Sequence, residues 1–244
     1  IYGGISLIGW VFSSLGAILL AVVFGNLSKW LPEADGGPYA YIRVGLGEFP
    51  AYLVAWGYWV SIWSTNAAIT VALVGYLGVF FTILKVEPQL AILTGLAFIW
   101  FFTYVNTRSI HTVGWVQLIT TILKLVPILL IGFIGVFYFK VEHFIPFNQS
   151  GSSNWSAITT TTTLTLFAYL GMESATIPAS KVSNAKTTIR RATIYGTLLT
   201  VVLYILSSAA VMGIVPPEVL ANSTAPFADA APLVWGDAAE YFVG

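Results

Sequence analysis

Two ionisable side chains, Lys124 and Glu173, stand deep inside long stretches of sequence that carry no other charge. At the centre of a bilayer each would cost at least about 2.5–3.5 kcal/mol, so each needs a partner or a water-filled cavity. Lys124 has 12 uncharged residues before it in its stretch and 15 after, too far from either end for easy snorkelling. Residues of this kind point to movement of charge or of a charged ligand; the alternative is a structural ion pair, with each other or with another group. Other chemistry is poorly provided for. There are no cysteines, and His111 and His143 lie in loops, so neither a nucleophile–base pair nor an ordinary zinc site is expected. No cofactor is implied.

Glu173 sits in an unusual segment. Thr159 to Thr163 are five consecutive β-branched polar residues, and Gly171 and Pro178 flank the carboxylate. Gly and Pro around a buried acid suggest a broken helix whose freed backbone groups face a cavity, although an ordinary kinked helix fits the same spacing. A second polar face comes from Tyr58, Ser61, Ser64, Thr65 and Asn66. Tyr58 and Asn66 are eight residues apart, about 800° of helix at 100° per residue, so they lie within roughly 80° of each other two turns apart. Asn66 is either a helix–helix hydrogen bond or a substrate contact.

The elements that must position these residues are membrane helices. Only 8% of the 244 residues are charged and 57% are hydrophobic, against roughly 25% charged in a soluble domain. Ten basic and ten acidic residues cancel, which gives no field for nucleic acid. Apolar runs predict six spans at 3–28, 49–84, 88–107, 112–139, 155–179 and 192–217, where about 20 residues suffice to cross. The second is too long for one straight crossing and must tilt or protrude. Loops after the first, third and fifth spans carry Lys29, Arg43, Arg108, Lys181, Lys186, Arg190 and Arg191. The other loops carry only Lys85 and Lys140, so the first group is expected in the cytoplasm, as loops 29–48, 107–111 and 181–191. The first span then starts outside, and a single incomplete transporter-sized domain over 1–244 is expected, with an odd number of helices upstream, most simply one. Gly36, Gly37 and Pro38 mark a structured turn with a short helix around residues 39–44. The basic 181–191 connector reads as an orientation signal, with lipid-specific binding the alternative. Asn154-Trp155-Ser156 fits a glycosylation triplet, weakly in a short loop at the membrane.

The string Gly171-Met172-Glu173-Ser174-Ala175, preceded by Thr165-Leu166-Phe167-Ala168-Tyr169, resembles the sixth-helix motif of the basic amino acid/polyamine antiporters of the amino acid–polyamine–organocation (APC) superfamily. Gly36-Gly37-Pro38-Tyr39-Ala40-Tyr41, the Tyr58-Trp59…Asn66 spacing, Val74-Gly75-Tyr76 and Asn222-Ser223-Thr224-Ala225-Pro226-Phe227 match in the same order. The resemblance implies an all-α membrane protein, with the six spans as helices two to seven, and the start of eight, of a twelve-helix, LeuT-like 5+5 inverted repeat. It implies Ser61, Ile62, Asn66 and Ile69 as substrate-pocket residues on helix three, with Asn66 at the distal end of the substrate. Phe167 stands at the position of the lid Trp, and Leu170 where a carbonyl takes the substrate ammonium. Glu173 matches the glutamate tied to pH response and exchange; Tyr39, with Tyr58, falls at gating positions.

Two departures bear on specificity. Phe167 in place of Trp gives a smaller stacking surface and no indole donor. Lys124 stands where those antiporters have an uncharged residue, and in sodium-independent branches of the superfamily a helix-five lysine replaces a sodium ion. The expected function is therefore secondary transport of amino acids, by uptake or exchange, with basic amino acids or their decarboxylated amines as the expected substrates, by alternating access in the cell membrane. The alternative is a broader sodium-independent, proton-coupled permease. An ion channel would need repeated filter groups, which are missing from the pattern. The expected partners are a small-molecule amino acid or polyamine and membrane lipid, without nucleic acid; a homodimer follows by analogy alone.

Overall fold

The computed structural model of the chain describes residues 2–32, 34–236 and 239–243, and these are helices and connecting loops, with no strand among them. In chain order the helices are α1 (Ser6–Trp30), α2 (Pro38–Leu46), α3 (Glu48–Phe80), α4 (Ile83–Val86), α5 (Pro88–Asn106), α6 (Ile110–Ile134), α7 (Asn154–Leu166), α8 (Ala185–Ile214), α9 (Pro217–Asn222), α10 (Pro226–Trp235) and α11 (Glu240–Val243). Their starts are chemically marked. Proline opens α2, α5, α9 and α10, where its missing N–H has no helical partner to lose. Ser109 and Ser153 cap α6 and α7 by accepting the backbone N–H of Thr112 at 3.3 Å and of Ser156 at 3.2 Å.

Five helical stretches are long and apolar enough to cross a membrane: Gly3–Trp30, Glu48–Phe80, Pro88–Asn106, His111–Tyr138 and Ala185–Ile214. Large apolar side chains on them stand open, among them Leu19, Val71 and Phe137, which suits hydrocarbon and not water. The chain is a multi-pass membrane protein. The second span ends as a helix at Phe80, earlier than expected, and its 33 residues still make about 50 Å, more than a 30 Å hydrocarbon core. The sixth begins at Ala185, so Lys186, Arg190 and Arg191 belong to its first turns and the basic connector is shorter than expected. The predicted fifth span, 155–179, is not one long helix: α7 stops at Leu166 and irregular turns follow.

The chain forms two compact units. One comprises residues 2–63 and 146–205. In it α1 packs along α7 through small and hydroxyl-bearing residues, the usual way for membrane helices to approach closely. A Cβ on Gly9 would meet Thr161 Oγ1 at 2.4 Å, so only glycine fits. The Ser13 and Thr165 hydroxyls pair at 2.8 Å, and those of Ser14 and Tyr169 at 2.7 Å. The threonine run remains helical because its hydroxyls donate back to the helix, as from Thr161 to the Ala157 carbonyl at 2.8 Å and from Thr165 to that of Thr161 at 2.8 Å. Trp10, Tyr169 and Tyr204 complete an aromatic cluster with ring centroids 5.7–5.9 Å apart.

The other unit comprises Ser64–Ile145 and Leu206–Gly244. Its core joins Ile131 of α6, Ala210, Val211 and Ile214 at the end of α8, and Ala230 and Val234 of α10. Close approach again depends on glycine: a Cβ at Gly135 would meet Ile214 Cδ1 at 2.7 Å.

Candidate functional site: a break in the fifth span

The break follows from one residue. Leu170 is extended at φ −64°, ψ 144°, and Gly171 turns the chain at φ +101°, a conformation that L-residues rarely adopt. A short 3-10 turn, Met172–Thr176, follows. A backbone opened at membrane depth must find new partners, and side chains supply them here. The Glu173 carboxylate accepts the Gly171 N–H at 3.1 Å. Ser174 donates its hydroxyl to the Gly171 carbonyl at 2.5 Å, and Thr176 donates to the Glu173 carbonyl at 2.6 Å. The broken-helix reading is the one the backbone adopts.

The far end of the break is tied to the loop after α1. Gly36 donates its N–H to the Ile177 carbonyl at 3.1 Å, and Gly37, at φ +54°, lies where any Cβ would meet Thr176 Oγ1 at 2.7 Å. The Asp35 carboxylate accepts the Ser180 N–H at 2.8 Å and the Ser180 hydroxyl at 2.5 Å. Those bonds hold its carboxyl below the ordinary carboxylate range, the hydroxyl bond contributing most.

A cavity of about 290 Å³ opens against the break, lined by Leu170, Gly171 and the α8 residues Thr193, Thr197, Thr200 and Tyr204. The Thr193 hydroxyl is buried without a hydrogen-bond partner. These α8 positions were not among the residues singled out from the sequence. Their spacing of four, three and four marks one helix face, so the signal was present but lay within a span read only for length.

The predicted residues divide between the two units. Tyr39, Tyr58, Ser61, Ile62, Phe167, Leu170 and Glu173 belong to the unit that contains the break. Tyr58 stands within electrostatic reach of the Glu173 carboxylate, its hydroxyl buried and short of hydrogen-bond geometry. Phe167 and Leu170 lie just before Gly171 and are about half exposed. Tyr39 lies in the first turn of α2, half-buried. Asn66, Ile69 and Lys124 belong to the other unit. On the continuous helix α3, Tyr58, Ile62, Asn66 and Ile69 succeed one another at spacings of four, four and three, a single stripe. The Asn66 side chain is exposed, which gives no support among the described residues to the helix–helix hydrogen bond. Lys124 lines a separate cavity of about 560 Å³ with Tyr76, Thr120 and Phe227.

A helix broken at a glycine beside a carboxylate, in a chain of membrane spans, is an arrangement suited to holding a charged solute. Comparison with known proteins agrees. Residues 2–244 match the amino acid permease family model. The chain belongs to that family. It is 35% identical over 242 residues to the cadaverine/lysine antiporter of Escherichia coli K12, which covers 96% of this chain and 52% of that protein. It is 31% identical over 229 residues to the arginine/ornithine antiporter of Pseudomonas aeruginosa, covering 91% of this chain and 47% of that one. The putrescine transporter PotE of E. coli K12 is 30% identical over 226 residues, covering 92% and 51%. The chain thus spans about half the length of the curated relatives it matches, and those relatives are transporters and not enzymes. The resemblance read from the Gly171–Ala175 motif to the basic amino acid/polyamine antiporters of the APC superfamily holds.

Proposed function

We propose that this permease exchanges basic amino acids for one another or for their decarboxylated amines by alternating access, with the break at Leu170 and Gly171 as the moving centre of the site. The observation that carries the reading is the Gly171 N–H held by the Glu173 carboxylate at 3.1 Å, with the Tyr58 hydroxyl beside it. A carboxylate that caps an unwound turn links its own charge state to the conformation of that turn. Protonation removes the charge from the acceptor and weakens the bond to Gly171. Substrate cations drawn to the same carboxylate compete for it, which couples substrate, proton and backbone.

In this reading the spans are helices two to seven of a twelve-helix, LeuT-like inverted repeat in the cell membrane, with loops 29–48, 107–111 and 181–191 cytoplasmic. Asn66, with Ser61, Ile62 and Ile69, meets the distal end of the substrate. Phe167 closes over it, the Leu170 carbonyl takes the ammonium, and Tyr39 and Tyr58 gate the path. The protein works as a homodimer surrounded by lipid. A broader sodium-independent, proton-coupled permease is a second reading, favoured by Lys124 in its own cavity and by Phe167 at the lid. The test is exchange of labelled lysine against internal cadaverine in proteoliposomes, as a function of pH, for the intact protein and for Glu173→Gln. The variant is expected to fold and bind substrate while losing most of the pH dependence. A pH–rate profile that overlays the parent's would reduce Glu173 to a structural cap.

A further inference from the structure

The largest cavity described for the unit of Ser64–Ile145 and Leu206–Gly244, about 770 Å³, has no part in the reading above. It opens beside the end of α3, between α4 and α9, in the size range of small-molecule sites, about 300–1,000 Å³. Lys85, Glu218 and Asp229 all line it. Lys85 and Glu218 are exposed and Asp229 is half-buried, and the ion pair found among the described residues joins Arg43 and Glu48, so the three charges face the cavity open to a ligand.

The lining is held in place by the backbone. Lys85 lays its stem along α3, where a Cβ at Gly78 would meet its Cγ at 2.9 Å and its Cε at 3.0 Å. One turn earlier, a Cβ at Gly75 would meet the Thr224 carbonyl oxygen at 3.0 Å. Two glycines three residues apart therefore admit the lysine and the loop that faces it. Asp229 is anchored by the Ser223 hydroxyl, which itself accepts the Ala225 N–H at 3.1 Å. The Asn222 amide donates to the Glu218 carbonyl at 3.0 Å, fixing the turn from which the Glu218 carboxylate projects.

We propose that this cavity is a second, outer binding site for a basic α-amino acid. Lys85 takes the ligand's carboxylate, and Glu218 and Asp229 take its two cationic groups. One fixed cation and two carboxylates match the one negative and two positive groups of lysine or ornithine. A diamine lacks the carboxylate and meets Lys85 as a like charge. The choice of ligand and the placement on the outer side rest on the reading above; the cavity and its three charges do not.

The experiment is equilibrium binding of radiolabelled L-lysine and cadaverine to the purified intact protein, with the parent beside Lys85→Met, Lys85→Arg and Glu218→Gln. The parent should bind lysine in two components. Lys85→Met should weaken the weaker lysine component about tenfold, the size of one lost charge-assisted bond in a partly open site, while cadaverine, relieved of a like charge, binds more tightly. Lys85→Arg should retain lysine binding, and Glu218→Gln should weaken both ligands. Matching melting temperatures for parent and variants show that the fold is intact. A single lysine component in the parent, or two components indifferent to Lys85→Met, overturns the outer site. Should the weaker component behave as described while the protein exchanges nothing in liposomes, the exchange reading fails and the outer site stands.

Discussion

Gly171→Ala isolates the break from everything packed around it. The residue stands at φ +101°, ψ −7°, well beyond the left-handed well near +57° that an L-residue can reach. Left-handed backbone costs an L-residue about 1–2 kcal/mol, and the offset from the well puts alanine at the upper end. Among the described residues, no heavy atom beyond its two chain neighbours lies within 4 Å of the place a Cβ would take, so crowding adds nothing to that figure. The whole penalty falls on the broken conformation, and 1–2 kcal/mol corresponds to about a 5- to 30-fold loss in its population. Relief comes by straightening the turn, which gives up the bond from the Gly171 N–H to Glu173. Exchange in proteoliposomes should therefore fall by about 5- to 30-fold, with little change in melting temperature. Gly171→Asn should recover part of the rate, because asparagine tolerates positive φ better than alanine. Gly9→Ala is the contrasting case. Its Cβ would meet Thr161 Oγ1 at 2.4 Å and the Thr161 backbone at 2.9 Å, so it should lower stability by about 1–3 kcal/mol. Its transport per folded molecule should be unchanged. Exchange by Gly171→Ala within twofold of the parent would refute the break as the moving element.

Asn66→Ala should weaken binding of long basic substrates about 2- to 12-fold, the worth of one hydrogen bond, at unchanged protein level; equal affinity for every substrate would leave Asn66 a packing residue. Phe167→Ala should lose transport and Phe167→Trp should keep it, with a shift toward guanidinium substrates through the larger π face, and like behaviour of the two would remove the lid role. Lys124→Met should abolish or uncouple turnover without making it sodium-dependent, a result that sodium-stimulated uptake by the parent would contradict. The Asp35 clamp on Ser180 should be fully formed above the ordinary carboxylate pKa of 3.8 and be lost as pH falls through the lower value of the folded state. Hydrogen exchange at the Ser180 amide should accordingly rise in acid, and in Asp35→Asn it should no longer follow pH there.

The helices were legible wherever hydropathy alone decides them. The starts at Pro88 and near Thr112 lie within two residues of those expected, and the turn at Gly36 and Gly37 leads into a short helix, Pro38–Leu46, as the residues suggest. The reading from charge-free runs failed at the fifth span, where the stretch from 155 to 179 carries a single charge but is rich in hydroxyls, and its backbone is not helical throughout. A sliding sum of transfer energies registers how apolar a residue is, and Gly171 acts through φ, which has no transfer energy. The start of α8 was missed for a related reason. Lys186, Arg190 and Arg191 read as loop, yet long cationic side chains can leave a helix for the headgroup region without ending it. In the site, Glu173 and Gly171 were found because each breaks a local rule. The α8 threonines were not, because a hydroxyl on a membrane helix can satisfy itself on the preceding turn, as Thr200 does on the Gly196 carbonyl at 2.9 Å.

The contrast between α7 and the turn that follows it shows how this sequence makes a hole in a membrane helix without losing the helix. Thr159, Thr161, Thr163 and Thr165 all return their hydroxyls to carbonyls four residues back, so these four add no unsatisfied group to the bilayer. Two of them also hold α1: Thr161 receives Gly9, and Thr165 shares a hydrogen bond with Ser13. That interface ends at Tyr169, bonded to Ser14, immediately before the break. The upstream half of the span is thereby fixed to α1, while the downstream half is fixed to the loop after α1 through Gly36, Gly37 and Asp35. Between the two anchors only Leu170 and Gly171 depart from helical or 3-10 geometry, and the N–H and carbonyl of Gly171 are met by Glu173 and Ser174 from the same turn. In the proposed mechanism, a change in the charge of Glu173 would act on these two residues, with the segments on both sides already held.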